Sequence, residues 1–189
     1  GSEKLFTGTV QVFGSDGSKQ KEYGVSNGLR NGLWAEWYDS GEKLMEANWK
    51  GGKKFGPTTW WYENGQKWKE IHFDENGKYL ASEFYDSGPK LKDMPWKDGK
   101  MHGKGKLYYE NGQVLREVTY MEGKKDGPVN WWHNDGKKWK EYTYAKGRVT
   151  GVYVLWRSNG QKWKEYGVLN DKMEGRHTTW QTNKNKLKE

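Results

Sequence analysis

The sequence predicts an all-β fold, an elongated antiparallel meander built from β-hairpin repeats of 24 residues. The first observation is a fixed period, because a repeat length of this size marks an architecture in which each unit packs mainly on its neighbours. The second is an Asn-Gly or Asp-Gly pair in most units, the strongest short-range signal for a hairpin. We therefore predict about sixteen short strands in a twisted single-layer sheet, curved into an open trough or superhelix.

A glycine opens each unit and defines the numbering of its positions. The opening glycines are Gly8, Gly32, Gly56, Gly103, Gly127, Gly151 and Gly175, and Tyr79 stands one residue early in place of the missing one. An offset is counted in residues from this opening position. A large ring occupies offset five, as in Trp61 and Trp132, Leu or Trp occupies offset twelve, and an acid occupies offset fourteen.

The Asn-Gly pairs predict how the two strands of a hairpin face each other. A two-residue type I′ turn at Asn64-Gly65 requires positive φ at both positions and would place Trp61 opposite Trp68. Tyr62 would then face Lys67 on the other side of the sheet. One face is thus expected to carry a ladder of rings and the other a Tyr and Lys ladder. A second glycine turn, such as Glu122-Gly123, would lead into the next unit.

The composition supports a folded sheet with a thin core. The hydrophobic fraction is 32% and the formal net charge is +8, and the mean hydropathy is −1.24, values that alone lean towards disorder. The 13 tryptophans and 12 tyrosines at fixed offsets contradict that interpretation. Each large ring removes roughly 150–250 Å² from water, so rings replace aliphatic side chains as the buried surface.

The predicted domain organisation is simple. Residues 1–6 are a tag remnant and lead-in, since Gly1-Ser2 stands without an initiating Met. Residues 7–189 form one repeat domain with seven full units and a truncated C-terminal unit. The lysines of the last strand are expected to protect its edge. For the compartment, the sequence leaves two alternatives, the cytoplasm and export to the cell surface with a trimmed leader.

The unit near residues 76–95 departs from the pattern. Its turn at Asn76-Gly77 is displaced by one residue, Tyr79 replaces the glycine, and Pro89 and Pro95 fall in predicted strands. Proline cannot donate a ladder hydrogen bond. We expect a bulge or kink where the sheet bends, and the alternative is a bend that shapes a binding surface.

Catalytic, metal and cofactor chemistry find no support in the sequence. Cysteine is absent, and the histidines His72, His102, His133 and His177 occupy different offsets and do not align. There is no nucleophile elbow and no phosphate-cradling loop between a strand and a helix. The acid at offset fourteen recurs in nearly every unit, which is typical of a structural role. We therefore predict a protein that is not an enzyme and needs no cofactor and no metal.

Paired lysines are the first candidate for binding. Lysines at offsets eleven and thirteen are expected to project together from the Tyr face, beside the offset-six tyrosines. These candidates are Lys67, Lys69, Lys138, Lys140, Lys162, Lys164, Tyr62, Tyr85 and Tyr109. A basic stripe among tyrosines would bind a polyanion such as anionic lipid or an acidic protein. Base readout favours Arg, Asn and Gln, so nucleic acid is disfavoured. The competing interpretation is a solubilising outer face.

Three additional tryptophans are the second candidate. Trp34, Trp60 and Trp131 lie at even offsets, on the face opposite the offset-five rings. An exposed aromatic cluster would anchor a protein partner or stack against a sugar ring, although no Asp or Asn constellation supports carbohydrate. The alternative is that a curled sheet buries these rings.

The stretch from Gly99 to Gly112 resembles the MORN repeat, and Glu117 to Gly127 matches the first part of that pattern. The Tyr-Glu-Asn-Gly-Gln turns are closer to the bacterial variant of the repeat. The resemblance covers residues from about Thr7 to Lys188 and implies a non-catalytic bacterial module for protein binding and scaffolding. Some members of the variant family are described as antitoxin components. Attachment to membranes rich in anionic lipid, through the Lys and Tyr face, is the alternative that the resemblance implies.

Overall fold

The structure of the chain is a computed structural model that describes residues 4–74, 78–181 and the backbone of 186–188. The chain divides into two compact units, unit 1 with residues Gly1–Pro89 and unit 2 with residues Lys90–Glu189. The predicted turn at Asn183-Lys184 and the predicted role of the last lysine side chains lie outside the described residues. That residues 7–189 form one domain stays a prediction.

The described residues of unit 1 form seven strands, each antiparallel to its described neighbour along the chain. They are β1 (Gly8–Phe13), β2 (Lys19–Ser26), β3 (Leu29–Trp37), β4 (Lys43–Lys50), β5 (Lys53–Trp61), β6 (Lys67–Phe73) and β7 (Lys78–Phe84).

In the described part of unit 2 there are ten strands, which follow the same antiparallel order. They are β8 (Lys90–Lys97), β9 (Lys100–Met101), β10 (Gly103–Tyr108), β11 (Val114–Met121), β12 (Lys124–Trp132), β13 (Lys138–Ala145), β14 (Arg148–Trp156), β15 (Lys162–Leu169), β16 (Lys172–Trp180) and β17 (Lys186–Lys188). Strands β9 and β10 are one hairpin arm interrupted at His102. The described residues contain no helix, and the prediction of an all-β antiparallel meander of hairpins is confirmed.

The hairpins whose turn glycine lies at offset nine, such as Asn64-Gly65, do not have the predicted two-residue turn. Asn27-Gly28, in the second set of turns, does have one, with φ of 49° and 74° and with Ser26 paired with Leu29. Tyr62 N–H donates to the Gln66 carbonyl, and Gly65 N–H donates to the Tyr62 carbonyl, which encloses three residues in the loop. Only Gly65 has positive φ, at 80°, whereas type I′ would require it at Asn64 as well. This is a type I turn followed by a glycine bulge, in which Asn64 Oδ1 accepts from Gln66 N–H.

The extra loop residue shifts the register by one position and corrects the predicted pairing. Trp61 pairs with Lys67 and Trp60 pairs with Lys69, so Trp68 is an unpaired bulge residue. The predicted pairs of Trp61 with Trp68 and of Tyr62 with Lys67 are wrong. The same shift recurs in the hairpins that end at Trp37, Trp132 and Trp156.

Type I′ turns occur instead at the second set of turns. Glu122 and Gly123 have φ of 49° and 82°, and Lys146 and Gly147 have φ of 51° and 87°. Met121 pairs with Lys124 across the first of these turns, which leaves two residues in the loop. The non-glycine residues accept the left-handed region because the mirror-image turn matches the twist of the flanking strands.

The opening glycines form bulges inside the strands. Gly151 has φ of 82°, and the β13–β14 ladder shifts register around it, between Glu141 and Thr143. Prolines occupy these interruptions. Pro95 lies opposite the bulge at Gly103, whose added Cβ would meet Pro95 Cγ at 3.4 Å. Proline is tolerated there because the ladder is already broken.

The expected bulge is absent from the described β6–β7 ladder of the irregular unit. Where Tyr79 replaces the opening glycine, the β6–β7 ladder runs from Lys69–Glu83 to Phe73–Tyr79 without a shift. Without a glycine at positive φ, the β6–β7 ladder keeps a regular register. The repeat that ends at Tyr79 is one residue shorter than the other repeats. Pro89 lies in a turn, where its carbonyl accepts from Tyr85 N–H. Residues 75–77 of the displaced turn lie outside the described residues.

The fully buried side chains are small, as a single layer requires. Ala47 is 0% exposed, Val129 1% and Thr58 1%. The core cluster of unit 2 consists of Val118, Tyr120 and Val129, with Trp131 and Tyr142 packed against it. Large rings cover these small residues and remain half-buried themselves.

Candidate functional site

The two faces of the sheet carry different chemistry. The ring face is defined by the offset-five rings, such as Trp61 and Trp156, and the reverse face by offsets two, four, thirteen and fifteen, such as Trp60 and Lys69. Because the hairpins with the three-residue turn have a bulge at offset twelve, as in β5–β6, β12–β13 and β14–β15, the lysines at offsets eleven and thirteen of these hairpins lie on opposite faces. The prediction that both lysines project from one face is therefore wrong.

Lysines at offset eleven are neutralised on the ring face. Lys67 Nζ lies 2.8 Å from Glu70 Oε1 and 6.0 Å from the centre of the Phe84 ring in the next hairpin. Lys162 repeats this arrangement, 2.7 Å from Glu165 and 5.5 Å from the Trp180 ring. In the same way, Lys138 pairs with Glu141 and lies over the Trp156 ring at 5.0 Å.

Three of the predicted binding residues thus have partners within the sheet, and their binding role stays a prediction. Lys67, Lys138 and Lys162 join the acid at offset fourteen of their own strand to the ring of the next unit. The acid at offset fourteen pairs with a lysine of its own strand in these three units, which agrees with the structural role predicted for it. A lysine that already has a carboxylate partner offers little to an external anion.

The offset-six tyrosines are turn residues that connect one hairpin to the next. Tyr62 Oη donates to the Phe84 carbonyl at 3.2 Å, and Tyr109 Oη donates to the Trp132 carbonyl at 2.9 Å. Tyr85 occupies the equivalent turn position. Burial raises the pKa of Tyr109, with the Asp135 charge adding to it. These geometries favour a structural role at Tyr62 and Tyr109.

The extra tryptophans of unit 1 lie half-buried on the reverse face, with cations over their rings. Trp34 stacks on Tyr23 at 4.4 Å, and the Arg30 guanidinium lies 4.4 Å from the Trp34 ring. Trp60 has the Lys69 ammonium at 5.7 Å. Such contacts are worth about 0.5–1 kcal/mol each at exposed sites, so both rings have internal partners.

Trp131 has the same position in unit 2, where it forms the centre of a larger cluster. The Arg116 guanidinium lies 4.9 Å from its ring and the Lys140 ammonium 4.3 Å from it. Lys140 also lies 4.3 Å from the Trp139 ring, which meets Trp131 edge-on at 5.7 Å. Trp131 Nε1 donates to Tyr142 Oη at 3.4 Å.

These residues belong to a straight row across the sheet of unit 2. Arg116 pairs with Trp131, Trp131 with Lys140, Lys140 with Leu155, and Leu155 with Lys164. Directly paired residues point to the same face. We call Arg116, Trp131, Lys140, Leu155 and Lys164 the cationic row; it carries a cation on every second strand, about 9.6 Å apart at a strand spacing of about 4.8 Å.

Among the described residues, no carboxylate forms an ion pair with the cationic row. In the part of the chain that the structure describes, none of Arg116, Lys140 and Lys164 forms an ion pair. Burial, and then the neighbouring Arg116 charge, lowers the pKa of Lys140. An anion bound at this point would relieve the repulsion between the two cations.

The equivalent row of unit 1 is mixed in charge. It runs through Lys21, Glu36, Met45, Trp60, Lys69 and Glu83. Lys21 Nζ lies 3.3 Å from Glu36 Oε1. Two glutamates thus stand where unit 2 has Trp131 or Leu155, and the predicted residues Trp60 and Lys69 belong to this mixed row.

A row of tyrosines runs beside the cationic row, two residues further along the strands. Tyr142 and Tyr153 are stacked at 4.8 Å with an interplanar angle of 3°, and Tyr153 and Tyr166 at 5.0 Å and 8°. Burial raises the pKa of Tyr153 to about 12, with Tyr166 adding to the shift. We call Tyr142, Tyr153 and Tyr166 the tyrosine row. It ends at a shallow pocket of about 330 Å³ that Val149, Val168 and Met173 help to line.

The ring face holds a second groove, of about 420 Å³, lined by Asn130, Glu141, Lys162 and Glu165 among others. Its lysine and acids are already paired within each strand. Among the described residues, no three His, Asp or Glu side chains form a group suited to a metal ion. None of the described segments forms a helix that could span a membrane.

The structure groups some predicted residues and separates others. Lys140, Lys164 and Trp131 come together in the cationic row, whereas Lys138 and Lys162 lie on the other face. The sequence analysis missed Arg116 because this unit lacks the pattern of two lysines. It has Val114 at offset eleven and Arg116 at offset thirteen. It also missed the tyrosine row, whose signal was the recurrence of Tyr at offsets two and fifteen.

Comparison with known families and structures adds three findings. The MORN repeat model matches residues 96–114, and the MORN repeat variant model matches residues 56–75 and 125–146. No curated protein matches the chain.

Two solved structures of TarM, one of them a mutant of the S. aureus protein in complex with Fondaparinux, alpha-GlcNAc-glycerol and UDP, are similar over 50% of this chain. Their identities are 15% and 17%, both TM-scores are 0.38, and the chain covers 19% of their length. A similarity of this extent carries no functional argument.

Proposed function

We propose that the chain is an interaction module that binds an acidic partner protein through the reverse face of unit 2, and the matches of three of its segments to MORN repeat models support this proposal. MORN repeats are in general interaction modules for proteins or membrane lipids, and they are typically non-catalytic. The observation that carries the proposal is the cationic row, in which Arg116, Lys140 and Lys164 have aromatic neighbours and form no ion pair with a carboxylate of the described segments.

Charge and aromatic surface together favour a protein partner. The formal net charge of +8 would steer an acidic molecule towards the chain. At the row itself, indole rings beside each cation exclude water and strengthen a charge-assisted hydrogen bond to a carboxylate. Trp163, which is 38% exposed, lies 4.7 Å from the Lys164 ammonium and extends this surface.

The chain offers a matched test of this proposal. Lys140→Gln with Lys164→Gln removes two charges from the cationic row, and Lys138→Gln with Lys162→Gln removes two charges from the same strands on the ring face. We expect the first variant to bind fluorescein-labelled poly-glutamate at least about tenfold more weakly at low salt, whereas the second retains most of its affinity. Fluorescence anisotropy measures both.

Each outcome of this test has a defined meaning. Equal losses in the two variants would show that only net charge matters and would contradict a site on the reverse face. No binding to poly-glutamate by the unchanged protein would contradict an acidic partner altogether. Circular dichroism of both variants checks that the fold is retained.

An anionic membrane surface is the second candidate, and one observation favours it. Met121, Leu169 and Met173 are 54%, 49% and 72% exposed at the type I′ turns. Apolar side chains beside a basic face would insert below lipid headgroups. Sedimentation with vesicles of 30% phosphatidylserine separates this candidate from the first, because retention on vesicles without affinity for poly-glutamate would assign the row to lipid.

A further inference from the structure

The cationic row is periodic, and its period corresponds to a particular backbone conformation in a ligand. Arg116, Lys140 and Lys164 lie on β11, β13 and β15, and adjacent strands are paired throughout this segment. Two strand spacings of about 4.8 Å place consecutive cations about 9.6 Å apart. An acidic ligand that uses all three must repeat its charges at this distance.

A polyproline II helix has the required repeat. It contains three residues per turn and rises about 3.1 Å per residue, so residues i, i+3 and i+6 lie on one side, about 9.3 Å apart. The mismatch with the row is about 0.3 Å per repeat, which flexible lysine side chains absorb. An extended β-strand alternates its side chains with period two, so every third residue points away from the row.

The tyrosine row supports the same conformation. Tyr142, Tyr153 and Tyr166 form a parallel stack beside the cations. Polyproline II segments bind aromatic surfaces through their proline rings, and the preformed helix has little conformational entropy to lose on binding. A ligand lying across the strands would thus place carboxylates on the cationic row and prolines on the tyrosine row.

We propose that the reverse face of unit 2 binds an acidic polyproline II segment that carries Glu or Asp at every third position, with proline between. This inference rests on the proposed function and specifies its ligand. Unit 1 is not expected to bind the same segment, because Glu36 and Glu83 interrupt its equivalent row.

Three synthetic peptides of equal length and composition test the proposal. The first has three glutamates at i, i+3 and i+6 among prolines, the second has the three glutamates adjacent, and the third spaces them every fourth residue. We expect the first peptide to bind at least about tenfold more tightly than the others. Isothermal titration with the full chain measures the affinities.

Variants locate the peptide on the surface. Lys140→Gln, in the middle of the row, should weaken the first peptide by about fivefold or more, while Lys140→Arg retains most of the affinity because the charge is kept. Lys69→Gln changes the equivalent position of unit 1 and should leave the affinity unchanged. Thermal unfolding of each variant checks that the fold is intact.

The outcomes separate this inference from the proposed function. If all three peptides bind equally and Lys140→Gln weakens each of them, an acidic partner stands and the polyproline II period is refuted. If no acidic peptide shows a dependence on Lys140, both proposals fail. Binding confined to phosphatidylserine vesicles overturns the inference and assigns the row to membrane lipid.

Discussion

Single hydrogen bonds between turns hold neighbouring hairpins in line. Tyr38 Oη donates to the Trp61 carbonyl at 2.8 Å, and Tyr109 Oη donates to the Trp132 carbonyl at 2.9 Å. Arg157 takes the same role towards the Trp180 carbonyl at 3.1 Å. Offset six thus carries either a tyrosine hydroxyl or an arginine guanidinium, and both donate to the equivalent carbonyl of the next hairpin. This indicates that the hydrogen bond itself is the structural role of this position.

Removing one of these hydroxyl groups should cost stability. Tyr109→Phe leaves the Trp132 carbonyl without its side-chain donor, and we expect the free energy of unfolding to fall by about 1 kcal/mol. Tyr166→Phe is the matched control, because the Tyr166 hydroxyl makes no hydrogen bond among the described residues. Urea unfolding followed by tryptophan fluorescence compares the two, and equal effects would contradict a specific role for the turn bond.

At the scale of the strand, the acid at offset fourteen determines how β6 responds to pH. Burial raises the pKa of Glu70, but hydrogen bonds from Lys67 and His72 outweigh it, so the net pKa lies below its ordinary value of 4.5. A carboxyl whose pKa is lowered by folding stabilises the protein above its unfolded pKa. That contribution is lost as the pH falls through the folded pKa.

Glu70→Gln should therefore destabilise the protein at pH 7 and reduce the loss of stability between pH 5 and pH 3. The partners that face Glu70 are Lys67 at 2.8 Å, His72 at 2.9 Å and Thr59 Oγ1 at 3.3 Å. Glu63→Gln, at an exposed turn position, is the control. Unfolding curves at the two pH values measure the difference, and an unchanged pH dependence in Glu70→Gln would refute this role.

The elements show which features the sequence predicts and where it fails. The 24-residue period and the turn glycines predict the hairpins. They are local signals, because a glycine favours the positive φ that a tight turn needs and the rings recur at fixed offsets. The predicted register of the hairpins with a bulge at offset twelve was wrong by one residue, since Asn64-Gly65 is compatible with both a type I′ turn and a type I turn with a bulge. The extra bulge residue between the two lysines of a hairpin, which is Trp139 between Lys138 and Lys140, places these lysines on opposite faces of the sheet. The predicted lysine pairs are therefore separated.

For each whole unit, stability is the sum of contacts between adjacent strands. In unit 2 the most buried cluster lies on β11 and β12, around Val118 and Val129, and the strands that follow are joined each to the next. Repeat arrays of this kind open locally, with free energies that differ along the chain. The cationic row begins at this cluster, through Arg116 and Trp131, so the best-packed strands hold one end of the proposed binding surface in place.

Local opening gives a prediction for unit 2 as a whole. Val129→Ala removes two methyl groups from a side chain that is 1% exposed, which should cost about 2 kcal/mol. Because stability is carried by neighbouring contacts, amide hydrogen exchange should accelerate in β11, β12 and β13 and change little in β15 and β16. Exchange measured by mass spectrometry resolves these segments. Val152→Ala, at a position that is 55% exposed on β14, is the matched control and should leave both regions unchanged. Uniform acceleration across all strands of unit 2 in Val129→Ala would show that the unit unfolds as a single cooperative body, and the additive description of its hairpins would then be wrong.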